Sequence, residues 1–119
     1  MTQTTRSLPW LLAVALLAGR AQAQDGVAAM CAELASPDAC ACASEALLSE
    51  IGPQDFDLYD TIGGDYVERM ARGESRVDAW NAASATAAAE AGIAPRALMS
   101  RTNEIGAAHR AAIDTCTGS

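Results

Sequence analysis

The sequence of 119 residues contains no lysine. Its eight basic residues are all arginines, and they stand against fifteen acidic residues, for a formal net charge of −7. Nucleic acids and anionic membranes recruit proteins through clusters of basic side chains. The shortage of such side chains leads us to expect neither nucleic acid nor a membrane surface as a partner. A cationic partner is compatible with this charge, although an acidic surface by itself indicates only solubility.

Large apolar side chains are also scarce. Beyond the first 23 residues the aromatic residues are Phe56, Tyr59, Tyr66 and Trp80, and alanine dominates stretches such as AASATAAAEA at 82–91. Alanine has the highest helix propensity but buries little apolar area. Because such a core gives limited hydrophobic stabilisation, we expect the fold to depend on covalent cross-links.

Residues 1–23 have the features of a cleaved signal peptide. Arg6 precedes the apolar run Leu8–Ala18, and the small residues AQA follow it. The run is too short to span a bilayer, and no cysteine follows it closely enough for a lipid anchor. We therefore predict cleavage after Ala23, which releases residues 24–119 as a single domain.

The processed chain would keep all fifteen acidic residues but only six arginines, a formal charge of −9. Export of this kind predicts a periplasmic or secreted protein that does not stay attached to the membrane. It also predicts an oxidising environment in which cysteines form disulfide bonds.

Helix-capping residues, glycines and prolines divide the rest of the chain into helical segments, and no strand alternation of useful length occurs. The first helix is predicted over 25–35. Four residues form its apolar face: Val27, Met30, Cys31 and Leu34. Ser36 is the predicted cap of a second helix, which begins at Pro37 and ends after Ile51 at Gly52.

A third segment begins at Pro53 and is predicted to stop at Gly63, with a further short helix over 65–72. Its inward residues are Phe56, Tyr59 and Ile62. The next helix covers 75–91, with Val77 and Trp80 three residues apart, and Gly92 terminates it.

The last helical region begins at Pro95, and a break is predicted near 100–103, where several residues cap well. Its inward residues are Leu98, Ile105, Ala112, Ile113 and Cys116. The whole pattern predicts an all-α fold, a small disulfide-stapled bundle of about five or six short helices.

The four cysteines predict two structural disulfides. A redox or soft-metal role for the Cys40-Ala-Cys42 pair is less favoured, since the chain lacks a CxxC motif beside a βαβ pattern. Cys40 and Cys42 point about 200° apart on a helix, so a bond between them would strain it. We favour Cys31–Cys42 with Cys40–Cys116, because 31 and 42 are equidistant from a turn at 36–37. A one-turn shift there would instead pair Cys31 with Cys40 and Cys42 with Cys116.

Two further stretches could carry chemistry. The acidic stretch 55–65 does not fit a calcium loop, since Tyr59 and Tyr66 fall where an EF-hand needs ligand oxygens. His109 is the only histidine, and it lies on an apolar stripe between Ile105 and Ile113. We expect it to be partly buried and structural, donating a hydrogen bond to a backbone carbonyl, to Asn103 or to Glu104.

Polar residues late in the chain are compatible with a small binding spot, and helix capping and solvation at the surface explain them equally well. The residues of this candidate spot are Trp80, Arg101, Asn103, His109 and Arg110. No catalytic residue, cofactor site or metal site is predicted, so we do not expect an enzyme. Two functions stay open: a non-catalytic exported module that binds a protein or peptide partner in the cell envelope, or a small-ligand or metal carrier with a pocket between helices near Trp80 and His109.

Overall fold

The computed structural model describes residues 26–118, which form five α-helices joined by short turns, with no strand in this part of the chain. The helices are α1 (Gly26–Cys31), α2 (Pro37–Ile51), α3 (Pro53–Ala71), α4 (Arg76–Ala91) and α5 (Pro95–Thr117). This confirms the predicted small all-α bundle. The predicted signal peptide, 1–23, lies outside the described residues.

The ends of α2 and α4 follow local capping chemistry, as the sequence predicts. The backbone N–H of Ala39 donates to Oγ of Ser36 at 3.2 Å, and that of Asp78 donates to Oγ of Ser75, also at 3.2 Å. Gly92 ends α4 in the left-handed conformation, with φ 67°. Three helices carry a proline in their first turn: Pro37, Pro53 and Pro95.

Helix α3 lies at the centre of the fold, where it contacts all four other helices. The most extensive helix pairs are α2 with α5, α3 with α4, and α1 with α3. Helix α4 contributes only alanines to the buried surface: Ala79, Ala83, Ala87 and Ala88. Val77 of the same helix is 68% exposed. The core is therefore thin, as the composition predicts.

Helix α3 runs through Gly63 and Gly64 without interruption, so the predicted stop at these glycines is wrong. The reason is that α1 packs here at backbone distance: a Cβ on Gly26 would overlap the carbonyl oxygen of Asp60, and one on Gly63 would overlap the end of Met30. The glycines permit a close crossing of two helices, and this compensates for their low helix propensity.

Helix α1 and helix α5 also differ from the predicted bounds. Helix α1 ends at Cys31, and Leu34 lies in the following turn with 66% of its surface exposed, outside the predicted apolar face. Helix α5 is continuous through 100–103. The Thr102 hydroxyl donates to the carbonyl of Met99 at 3.1 Å within the same helix, so it does not cap a second helix.

The disulfides join Cys31 to Cys40 and Cys42 to Cys116, with Cα–Cα distances of 5.7 and 6.0 Å. The favoured pairing of Cys31 with Cys42 and of Cys40 with Cys116 is therefore wrong, and the alternative is correct. Because α1 ends at Cys31, the chain reverses over 32–36, earlier than predicted, and Cys40 faces Cys31 across this turn. The predicted helix faces are correct, since Cys40 is buried and Cys42 is exposed.

Candidate functional site

A cleft of about 310 Å³ opens among α3, α4, α5 and the end of α1. We call it the aromatic cleft. Its lining residues are Met30, Glu33, Leu34, Tyr59, Tyr66, Arg76, Trp80, Gly106, His109, Arg110 and Ile113. A volume of this size accommodates a small molecule or a single large side chain of a partner.

The aromatic rings of the cleft form an ordered cluster in which every contact is edge to face. Trp80 lies between the two tyrosines, with ring centroids 6.2 Å from Tyr59 and 5.3 Å from Tyr66. The ring of Tyr59 in turn meets that of His109 at 5.8 Å. Such pairs add stability beyond the area that they bury. The cluster is therefore a pre-formed surface.

Helical spacing explains how the sequence builds this cluster. Tyr59 and Tyr66 are seven residues apart on α3, which places them two turns apart on one face. Gly106 and His109 are three apart on α5. A Cβ on Gly106 would lie 3.8 Å from the hydroxyl oxygen of Tyr59, so this glycine lies next to the Tyr59 side chain.

His109 is 4% exposed, and its Nε2 has no hydrogen-bond partner among the described residues. The predicted bond to a backbone carbonyl, Asn103 or Glu104 is therefore absent at this nitrogen. Burial lowers the pKa of His109 below its ordinary value of 6.5, so the ring is neutral at pH 7. An unsatisfied buried polar atom costs free energy. An apolar ring would fill this position at lower cost, which makes the imidazole a candidate for contact with a ligand.

Two arginines place positive charge at the cleft. The Nη2 atom of Arg76 lies 3.6 Å from the Oε1 atom of Glu33, and both side chains are largely exposed. Arg110 has no ion pair with any acidic residue in the described part of the chain. Burial raises the pKa of Tyr59 above 10.0, and the charge of Arg110 opposes this shift. The cleft is thus a positive site on an acidic protein.

The structure brings together three of the residues predicted for the binding spot: Trp80, His109 and Arg110. Asn103 lines a separate groove of about 440 Å³ on another side of Trp80. Arg101 lines neither; its Nη1 atom lies 3.7 Å from the Oδ1 atom of Asp55. The sequence analysis does not identify Tyr59, Tyr66 or Arg76 as members of this site. The spacing of the two tyrosines could have indicated a shared face, but the approach of α4 to α5 is visible only in the fold.

A larger groove of about 630 Å³ lies between α1, α3 and α4, and acidic residues line it. Two of its carboxylates already have structural partners. The Asp60 Oδ1 atom accepts the backbone N–H of Val27 at 2.8 Å, and Asp65 pairs with Arg69 at 3.1 Å. Within residues 26–118 no group of three or more histidine, cysteine, aspartate or glutamate side chains is placed to hold a metal ion. The Asp60 hydrogen bond joins α3 to the start of α1.

No protein-family model, curated protein or solved structure matches this chain. The two disulfides indicate maturation in an oxidising compartment, such as the extracellular space. None of the described helices is both long and apolar enough to cross a membrane.

Proposed function

We propose that this protein is an exported, non-catalytic helical module that binds a protein or peptide partner through the aromatic cleft. The observation that carries the proposal is the juxtaposition of an ordered aromatic cluster with Arg110, a cation that has no acidic partner among residues 26–118. Tryptophan, tyrosine and arginine are the residues most enriched at the energetic centres of protein interfaces.

The rim of the cleft supports a macromolecular partner. Leu34 lines the cleft, and 66% of its surface is exposed. An exposed apolar side chain at the edge of a cleft extends the surface that a partner can cover beyond the cleft itself. A partner could thus insert one residue into the cleft and cover this apolar rim.

The composition of the cleft favours binding over catalysis. Its lining contains no serine, threonine or cysteine that could act as a nucleophile with His109. Its one carboxylate, on Glu33, pairs with Arg76. Because general acid–base and nucleophilic mechanisms need such partners within hydrogen-bond reach, the imidazole is better suited to contact a ligand than to activate one.

A small-ligand carrier is the second candidate. It is favoured by the position of the cleft among four helical elements and by a volume in the range of small-molecule sites. A metal carrier has less support, since His109 has no cluster of metal ligands around it in the described part of the chain.

Site-specific photo-crosslinking in the native host tests the proposal. A photoreactive residue replaces Leu34 at the rim of the cleft, and in a matched control it replaces Leu48, which is exposed on α2 outside the cleft. We expect a crosslinked polypeptide from position 34 only, and a weaker one when Arg110→Gln is added. Equal adducts from both positions would contradict the proposal. No polypeptide adduct, together with a bound small molecule in native mass spectrometry, would favour the carrier.

A further inference from the structure

We propose that the aromatic cleft is specific for a carboxylate carried on an apolar body. Arg110 binds the carboxylate, Arg76 lines the same cleft, and the apolar body packs on Trp80 and Tyr66. This inference rests on the proposed function and names the chemistry of the group that enters the cleft.

The charges at the cleft argue for an anionic group. Glu33 already pairs with Arg76, whereas Arg110 keeps its full charge with no acidic partner among the described residues. Because the whole chain carries a net charge of −7, such a local excess of positive charge stands out from its surroundings. Guanidinium groups bind carboxylates with two parallel hydrogen bonds, which gives both geometry and affinity.

The aromatic rings argue for an apolar body next to that charge. Trp80 presents its ring between Tyr59 and Tyr66, held by edge-to-face contacts at 6.2 and 5.3 Å. A ligand side chain that packs here would exchange water for an already ordered apolar surface, so little conformational entropy is lost on the protein side. A charged group alone would leave these rings without a contact.

His109 provides a reporter inside the same cleft. It is the only histidine of the chain, so its ring protons give one set of histidine resonances in an NMR spectrum of the untagged protein. A carboxylate bound nearby favours the protonated imidazole and raises the pKa of His109. The neutral amide of the same acid has no such effect.

The test compares 3-phenylpropionate with its uncharged isostere 3-phenylpropionamide, following the His109 resonances. We expect a saturable shift with the acid, affinity for the amide about tenfold weaker, and a raised His109 pKa only with the acid. Arg110→Gln should weaken the acid about tenfold and leave the amide unchanged. Arg72→Gln is the matched control, since Arg72 is exposed at the end of α3 and does not line the cleft.

The source of the carboxylate is distinguished by a second pair of ligands, a short peptide ending in phenylalanine with a free carboxyl terminus and the same peptide amidated. Tighter binding of the peptide acid than of 3-phenylpropionate identifies the carboxyl terminus of a partner. Equal or weaker binding identifies a small free acid. Both outcomes support carboxylate recognition.

Two results would overturn the inference: equal affinity for acid and amide, or no shift of the His109 resonances with the acid. Neither would decide the proposed function, because crosslinking from position 34 measures partner contact without reference to a carboxylate. A crosslink at position 34 with equal binding of acid and amide would leave a partner-binding cleft of different chemistry.

Discussion

The rings of Tyr59 and His109 meet edge to face, with centroids 5.8 Å apart. This contact joins the central helix α3 to the C-terminal helix α5 at the aromatic cleft. Both side chains are buried, yet the Nε2 atom of His109 has no partner in the described part of the chain. The cleft therefore combines well-packed rings with a polar atom that destabilises the free protein.

Replacing His109 by phenylalanine should stabilise the free protein. The substitution keeps a ring against Tyr59 and removes the unsatisfied nitrogen, so we expect the free energy of unfolding at pH 7 to rise by about 1 kcal/mol. Urea unfolding measures this change. His109→Gln, which keeps a buried polar group, should give no such gain. Destabilisation by His109→Phe would mean that the imidazole contributes to the fold through a contact of its own.

The stability of the protein should fall as the pH decreases through the ordinary histidine pKa of 6.5. Burial lowers the pKa of His109 in the folded state, so between the two pKa values the unfolded chain binds a proton that the folded chain does not. The free energy of unfolding therefore has its full value above pH 6.5 and decreases as the pH falls from 6.5 towards the lower pKa of the folded state. Urea unfolding is measured at about pH 7.5 and about pH 5.5 for the protein and for His109→Phe. The difference between the two losses separates the titration of His109 from that of the carboxylates. An equal loss in both would exclude His109 as its source.

The two disulfides should differ in their reaction with a mild reductant. Cys31 and Cys40 are both buried, whereas Cys42 is exposed and Cys116 is half-buried. Access of a thiolate to sulfur governs the rate of exchange, so the Cys42–Cys116 bond should open first. Mass spectrometry after timed thiol alkylation identifies the order. Earlier labelling of Cys31 and Cys40 would contradict it.

Removing the Cys42–Cys116 bond should cost more stability than removing the other. It spans a sequence separation of 74 residues, against 9 for Cys31–Cys40. Loop-closure entropy gives about 4 kcal/mol for the longer loop and about 2.5 kcal/mol for the shorter one. Thermal melts of the two double cysteine-to-serine variants, and of the reduced protein, measure the losses. A melting temperature unchanged by full reduction would show that the thin core stabilises the fold without the disulfides.

The crossing of α1 over α3 predicts opposite effects for two glycine substitutions. Gly26→Ala should destabilise by about 1 to 3 kcal/mol, because its Cβ would overlap the carbonyl oxygen of Asp60. Gly64→Ala should stabilise by about 1 kcal/mol, because its nearest neighbour, the Cα of Gly26, lies at 3.9 Å and alanine has the higher helix propensity. Thermal unfolding measures both. A gain from Gly26→Ala would refute the close crossing.

The ends of α2 and α4 could be predicted from the sequence because their causes are local. Ser36 and Ser75 each cap a helix with their own side chain, and Gly92 adopts a positive φ that few other residues accept. The helical conformation at Gly63 and Gly64 has no cause in the local sequence. Whether they end α3 or allow α1 to approach depends on a tertiary contact with Gly26, and helix propensity gives no information on such a contact.

The candidate site was predictable only in part for the same reason. The sequence indicates Trp80 and His109 by residue type and helical position, and Arg110 by its place in a cluster of polar residues late in the chain. Tyr59 and Arg76 join them because α3, α4 and α5 meet at one cleft, and the sequence pattern of each helix taken alone does not specify that meeting. The disulfide pairing depended on the end of α1, and a shift of one turn was enough to exchange the partners.

The most direct test of the aromatic cleft as the binding site is an intermolecular NOE measurement with 3-phenylpropionate at saturation. Ring protons of His109 and Trp80 should show NOEs to the phenyl protons of the ligand, and the methyl groups of Leu48, on the outer face of α2, should show none. Saturable binding with NOEs to Leu48 or to other residues outside the cleft, and none to His109 or Trp80, would contradict the assignment.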